Sequence, residues 1–508
     1  MPLFRTSLQT ACLLIHPVRQ SSAFLSMGRV MTTGLPGSTH RPPKRFSLGT
    51  LLVALALLAA CVAQAQAPRA QRERFRKSPQ PNIILIVADD LGYGDLGCYG
   101  QTRIKTPNLD RLAAEGMRFT QFYAGAADST PSRAALMTGL HTGHGRIRGN
   151  KPIALAQEDT TLAEVLRAVG YKTCALGKWG LGSAGSTGMP TKQGFIDWFG
   201  YLDDVHSQNY YPTSLWRNER TFTLRGNLYG KRTEYSHDWF TKASLNYIRQ
   251  QEIESFFLYI AYTLPQANQE RQKAVRDGLE VPNDHPYTKE PWPQAEKNKA
   301  AMITRLDQDV GRILNAVRTT RLDEHTLILF TSDNGPHEDG GNKTAFFRSA
   351  GPLRGIKRDL YEGGIRVPMI ARWTGKIPEG IVSDQVWAMW DLLPTLADIA
   401  GAKPPEKLDG LSMVPALLGK EQSEQHEFLY WESHEPGFQQ AIRFKEWKGM
   451  RTAPGKDLEL YHLVRDPGET NNVAASQQEI TMKLSDLLKS ARRESPDWPL
   501  TSTSPSPK

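Results

Sequence analysis

Three stretches of this chain are apolar almost from end to end and only as long as a strand. They are Asn82-Ile-Ile-Leu-Ile-Val-Ala88, Phe256-Phe-Leu-Tyr-Ile-Ala-Tyr262 and Thr326-Leu-Ile-Leu-Phe-Thr331. A strand with one wet face alternates polar and apolar residues; one without that alternation has both faces covered, as in a parallel sheet between helices. Helical patterns fall between the runs, at 107–115, 161–169 and 300–317, and a further strand is expected at 171–176. The alternation predicts a doubly wound α/β fold, a large mixed and mostly parallel sheet flanked by helices. After about Leu418 the pattern shifts to short strands at 428–431, 441–444 and 458–461 and a helix over 478–492, the signature of a smaller antiparallel sheet with one covering helix. The expected organisation is a leader over 1–65, a polar linker over 66–80, a main domain over 81–418, a C-terminal α+β subdomain over 419–500 and a loose tail over 501–508.

Two of the buried runs end in acids: Val87-Ala88 leads into Asp89-Asp90, and Thr331-Ser332 into Asp333-Asn334. In open α/β sheets the functional crevice lies at the carboxyl ends of the strands. Each acid taken singly reads as a helix cap. Three carboxylates and an amide gathered there would repel one another without a hard cation, and oxygen-only donors suit Ca²⁺ or, less well, Mg²⁺. In Ser129-Thr130-Pro131-Ser132-Arg133, Pro131 is placed to begin a helix. Ser129 would then sit at the positive helix end, with Arg133 one turn along on the same face.

The formal charge of +9 does not indicate a nucleic-acid partner. Residues 1–65 hold six basic residues and no acidic one, and five more basic residues against Glu73 follow by Lys77, so the body from Ser78 onward is close to neutral. Lys44-Arg45 precede an apolar run over 48–60, too short for a comfortable membrane span. Ala63-Gln64-Ala65 offers a small-x-small cleavage site, while Leu58-Ala59-Ala60-Cys61 resembles a lipobox in which Cys61 would carry a lipid anchor. Met27 and Met31 are alternative starts. The expectation is an exported protein, periplasmic, envelope-anchored or secreted. In the body, Cys98 and Cys174 have no metal-type spacing and are expected as two separate buried thiols.

Several long motifs, in order, resemble the sulfatase family of alkaline-phosphatase-like hydrolases. They are Asn82 through Gly100, Ser129 through Gly139, Gly177-Lys178-Trp179, Thr331-Ser-Asp-Asn-Gly-Pro-His337 and Gly355-Ile-Lys357 through Gly364. The resemblance implies hydrolysis of sulfate esters on sulfated carbohydrates or aryl sulfates. It implies Ca²⁺ held by Asp89, Asp90, Asp333, Asn334 and residue 129, the last converted to formylglycine (3-oxoalanine) by a maturase. Arg133, Lys178 and Lys357 would hold the formylglycine and the sulfate. Hydrated formylglycine has two hydroxyls on one carbon, one to attack sulfur and one to expel sulfate; an unmodified serine has only the first.

The chain departs from that pattern at three points. Position 129 is Ser rather than Cys, so the maturase must accept serine; Gly180 replaces a common His; and Gln266 stands where a His is expected. Gln266 can hydrogen-bond sulfate but cannot transfer a proton. His206, or Lys357 with its pKa lowered by neighbouring cations, are the candidate proton donors. His337, Arg148 and His434 join Gln266 as candidate substrate contacts, with His141, His144, Arg146 and Asn150 nearby in sequence and Tyr210, Tyr211, Trp216 and Trp431 available to stack on sugar rings. Two other readings remain open: a non-catalytic binder of sulfated glycans, and a phosphate or phosphonate ester hydrolase on the same scaffold.

Overall fold

The computed structural model describes residues 80–251 and 254–500; the leader, the tail and all but the last residue of the linker lie outside them. The predicted apolar runs form the centre of a ten-stranded sheet. Asn82–Ala88 lies between Thr326–Ser332 and Phe256–Ala261, parallel to both. Lys172–Lys178 pairs with the far side of Phe256–Ala261, and Asp197–Tyr201 follows, both again parallel. Antiparallel strands close one edge at Ser214–Arg217 and Arg220–Thr223. On the other edge Met369–Arg372 is antiparallel to both Thr326–Ser332 and Met117–Phe119, with Ile381–Ser383 outermost.

The strands carry no polar alternation because both of their faces are covered. Ile84, Ile86 and Ala88 point into one apolar layer beneath the helices Pro107–Ala114, Ser236–Gln250 and Gln294–Thr319. Ile83, Leu85 and Val87 point into the other, against Ser129–Thr138, Leu162–Ala168 and Leu392–Ala400. Full burial contributes about 1.5–3 kcal/mol for each Ile, Leu or Val side chain among them, which favours these strands in the middle of the sheet.

The second sheet is built from Leu429–Ser433, Gln439–Phe444, Trp447–Arg451 and Glu459–His462, all antiparallel. Leu429, Trp431, Ala441 and Met450 pack on Tyr123, Ala135 and Trp390 of the large domain. Tyr430, Ile442 and Leu460 face the covering helix Gln478–Ser490 through Leu484 and Leu488.

Several boundaries move. The expected 300–317 helix begins at Gln294, because its polar first turns are held from afar: Glu296 accepts from Lys343 N (2.7 Å) and Lys299 donates to Ser349 (2.8 Å). The 161–169 helix covers Leu162–Ala168, since the Thr161 side chain caps it in a capping box with Glu164. The 171–176 strand runs on to Lys178. Cys98 and Cys174 are both free; Cys98 is half-buried and Cys174 buried.

Candidate active site

The pairing of Ala88 with Ser332 puts the two acidic strand ends side by side. Asp333 N donates to Ala88 O (3.1 Å), and Asp90 N donates back to Asp333 Oδ1 (3.1 Å). Asp90 adopts left-handed backbone, φ 64°, a conformation that aspartate tolerates better than most residues.

The Ser129–Thr138 helix arrives with its N-terminus on this cluster. Asp128 caps it by accepting from Ser129 N (2.8 Å), Pro131 lies in its first turn, and Gly139 ends it in left-handed conformation. Ser129 Oγ donates to Asp89 Oδ1 (3.0 Å) or Asn334 Oδ1 (3.2 Å) and is 1% exposed. Arg133, one turn on, reaches Asp333 Oδ2 with Nη2 (2.8 Å) and Asp89 Oδ2 (3.3 Å). Lys178 Nζ lies 2.8 Å from Asp89 Oδ2, and Lys357 Nζ 2.8 Å from Asp90 Oδ1. Lys178 is held by a seam with no room for a side chain: a Cβ on Gly177 would stand 2.0 Å from Ala261 O, and one on Gly200 1.8 Å from Gly177 O.

Burial pushes Asp90 and Asp333 up to about 6, and the charge on Asp89 adds to both. Burial acts on Asp89 too, but Lys178, Arg133 and Lys357 outweigh it and hold Asp89 below the ordinary range. One carboxylate oxygen from each of the three acids lies within 4.8 Å of the others. With Asn334 they make an oxygen-only, buried donor set, which fits a hard divalent cation.

The proposed proton donors fare differently from expectation. Burial pulls Lys357 down, but Asp90, Asp128 and Asp89 more than reverse this, so its ammonium titrates above the ordinary lysine range rather than below it. His206 packs edge-on against Tyr201, ring centroids 5.0 Å apart, and does not line the cavity at the site. Gln266, with its amide turned to satisfy both neighbours, accepts from Lys178 Nζ (3.1 Å) and donates to Asp89 Oδ2 (3.3 Å).

The other candidates are committed elsewhere. His337 is buried, with Nε2 on Pro265 O (3.0 Å) and Nδ1 accepting from Asp339 N (3.1 Å), so it shapes the Gln266 loop. Arg148 and His434 both bond Glu432 Oε1 at 3.1 Å. Arg146 pairs with Glu158 and Asp159. His144 Nδ1 lies 2.7 Å from Asp409 Oδ1 and His141 N donates to Asp409 Oδ2 (2.9 Å), while the His141 ring accepts from Gly143 N (3.1 Å), so both histidines are tied to Asp409 just past the Ser129–Thr138 helix. Trp431 and Tyr210 are fully buried, with Trp431 Nε1 donating to Ala124 O and Tyr210 Oη to Gln266 O, and offer no face to a sugar.

A cavity of about 430 Å³ opens over the site, walled by Thr130, Lys357, Asn150, Arg358, Gln269 and Asp204 among others. Asp204 was missed by sequence reasoning. It belongs to a third acidic pair at a strand end, where Asp197–Tyr201 leads into Leu202-Asp203-Asp204. Its Oδ1 lies 2.5 Å from Lys178 Nζ, and Lys178 with Lys357 holds it well below the usual carboxylate range against the upward push of burial.

A family model described as Sulfatase matches residues 81–402, and one described as N-sulphoglucosamine sulphohydrolase, C-terminal, matches residues 356–494. The chain is 29% identical to the N-acetylgalactosamine-6-O-sulfatase of Bacteroides thetaiotaomicron, over 87% of its own length and 98% of that protein's. It is 33% identical to arylsulfatase A of Homo sapiens, over 80% and 87% of the two lengths. The crystal structure of Ps i-CgsB in complex with k-i-k-neocarrahexaose superposes with a TM-score of 0.71 at 29% identity, covering 83% of this chain and 95% of that one.

Proposed function

This chain belongs to the sulfatase family and is a sulfuric ester hydrolase; on that premise we propose that it removes sulfate from sulfated carbohydrates, using Ca²⁺ and a formylglycine made from Ser129. The observation that carries the reading is the placing of Ser129 Oγ. It lies at a helix N-terminus, 3.0 Å from Asp89 and 3.2 Å from Asn334, with Arg133 and Lys178 on Asp89 and Lys357 on the adjacent Asp90.

Asp89, Asp90, Asp333 and Asn334 would hold the cation. When both groups are present, the hydrated aldehyde supplies a nucleophilic hydroxyl and the cation lowers that hydroxyl's pKa. The remaining work falls to side chains of the chain. Arg133 fixes Asp333 and Asp89 so that the donor set keeps its shape. Lys357, its ammonium retained by Asp90 and open to the cavity, offsets charge on the sulfuryl oxygens and can hydrogen-bond the leaving oxygen. The carbohydrate assignment is supported by the names of the relatives and by the mixture of amides and charges on the cavity wall.

The test is mass spectrometry of the Ser129 peptide from the native host, with assays of sulfate release from sulfated oligosaccharides. Loss of two hydrogens at Ser129 together with turnover is expected. Unmodified serine with no turnover would leave the binding-only reading standing, and faster cleavage of the phosphate ester of the same alcohol would favour the phosphoesterase reading. We also propose export, on the strength of Lys44-Arg45 and the apolar run that follows; the N-terminus of the mature protein decides it.

A further inference from the structure

We propose that Asp204 is a specificity-determining residue, an internal anion that occupies the cavity-facing side of Lys178 until a sulfate group displaces it. The inference rests on the sulfate-ester reading of the site given above.

A lysine ammonium has three N–H donors and no more. At Lys178 each has an acceptor: Asp89 Oδ2 at 2.8 Å, Gln266 at 3.1 Å and Asp204 Oδ1 at 2.5 Å. Asp89 and Gln266 are buried beneath the ammonium, whereas the Asp204 side chain is 39% exposed and lines the cavity. No donor of Lys178 is left for a ligand. A sulfate oxygen therefore reaches Lys178 by taking the place of the Asp204 carboxylate, and a carboxylate that stayed would face the incoming anion with like charge.

The local structure allows the exchange. Asp204 opens the single turn Asp204–Ser207, which is capped only by Asp203, and the next residue, Val205, is 63% exposed. Ejecting the carboxylate breaks its ion pair with Lys178, and the entering anion must recover that cost. A sulfate ester group has three terminal oxygens to share among Lys178, Lys357 and the Ser129 end of the helix (the free sulfate ion has four); a uronic-acid carboxylate has two. Asp204 thus sets a threshold that sulfated sugars pass and merely carboxylated sugars do not.

The experiment is calorimetric titration of inorganic sulfate, and separately of acetate, into the calcium-loaded full chain carrying Asp204, Asp204→Asn or Asp204→Ser. Both variants are expected to bind sulfate about twofold to fivefold more tightly, the scale of releasing one partly exposed ion pair, and the preference for sulfate over acetate should narrow. The Ser variant guards against Asn holding Lys178 as Asp does. Equal or weaker sulfate binding in both variants overturns the role of Asp204 and leaves the sulfate site standing. Absence of sulfate binding in all three proteins overturns the site reading and this inference together.

Discussion

Lys178 and Lys448 are both fully buried lysines gripped by two carboxylates, yet they sit in clusters of opposite character. Lys448 lies 3.0 Å from Glu362 and 2.9 Å from Glu469, and all three side chains are sealed from solvent. Glu362 also accepts from Tyr123 (2.7 Å) and faces Arg366 (3.3 Å), so the large domain and the small sheet are locked through one closed network. At Lys178 one partner is sealed and the other, Asp204, borders the cavity. Buried charge alone therefore does not mark a catalytic centre. The mark is a buried charge with one face turned to an opening and a surplus of acid that only a cation balances.

The same substitution placed in each cluster tests that distinction. Lys178→Met should cost about 10²–10³-fold in sulfate release, the usual scale for losing a charge-stabilising donor, while Arg133 still faces Asp89 and keeps the melting temperature close to that of the parent. Lys448→Met should do the reverse: a loss of about 3–5 kcal/mol in unfolding free energy from the stranded Glu362 and Glu469, with turnover per folded molecule unchanged. Equal losses of turnover in the two variants would erase the contrast.

A pH series sharpens it further. Burial, with help from Glu362 and opposition from Lys448, pushes Glu469 up to about 7 from an ordinary 4.5. Between those values the folded protein holds a proton that the unfolded chain has lost. This group's contribution to stability is therefore complete below about 4.5 and fades as pH rises through about 7. Denaturation midpoints should fall across that window by the equivalent of about 1–3 kcal/mol, and Glu469→Gln should flatten this part of the profile. The smallest effect is expected outside both clusters: His206→Ala should leave turnover within about twofold and cost about 0.5–1.5 kcal/mol for the lost contact with Tyr201. A collapse of activity there would return His206 to the chemistry.

What could be read from the sequence was whatever is local. The 82–88, 256–262 and 326–331 runs announce buried strands because every residue obeys one environment, and the acids that follow inherit their position from the strand ends. Partnerships across the chain were not legible. Arg148 and His434 look like free ligands for an anion until Glu432, 284 residues from Arg148, is seen between them. Asp203-Asp204 has the same strand-end setting as Asp89-Asp90. It passed unnoticed because Asp197–Tyr201, with a glycine and an exposed first residue, does not read as a buried strand. The start of the 294–319 helix was hidden for a similar reason, its buried Glu296 and Lys299 being paired with residues some fifty positions away.

The seclusion of Ser129 also sets a schedule. In the finished fold this side chain sits at the N-terminus of the Ser129–Thr138 helix, every residue of which is buried, and against Asn334, 205 residues further along the chain. Once the Thr326–Ser332 strand has docked, a modifying enzyme would meet a side chain that is 1% exposed. At about 5–20 residues per second of synthesis the segment is open for roughly 10–40 s before Asn334 exists to cover it. If Ser129 is oxidised as proposed, that step competes with translation, and slowing the ribosome between the two segments should raise the converted fraction without altering a single residue.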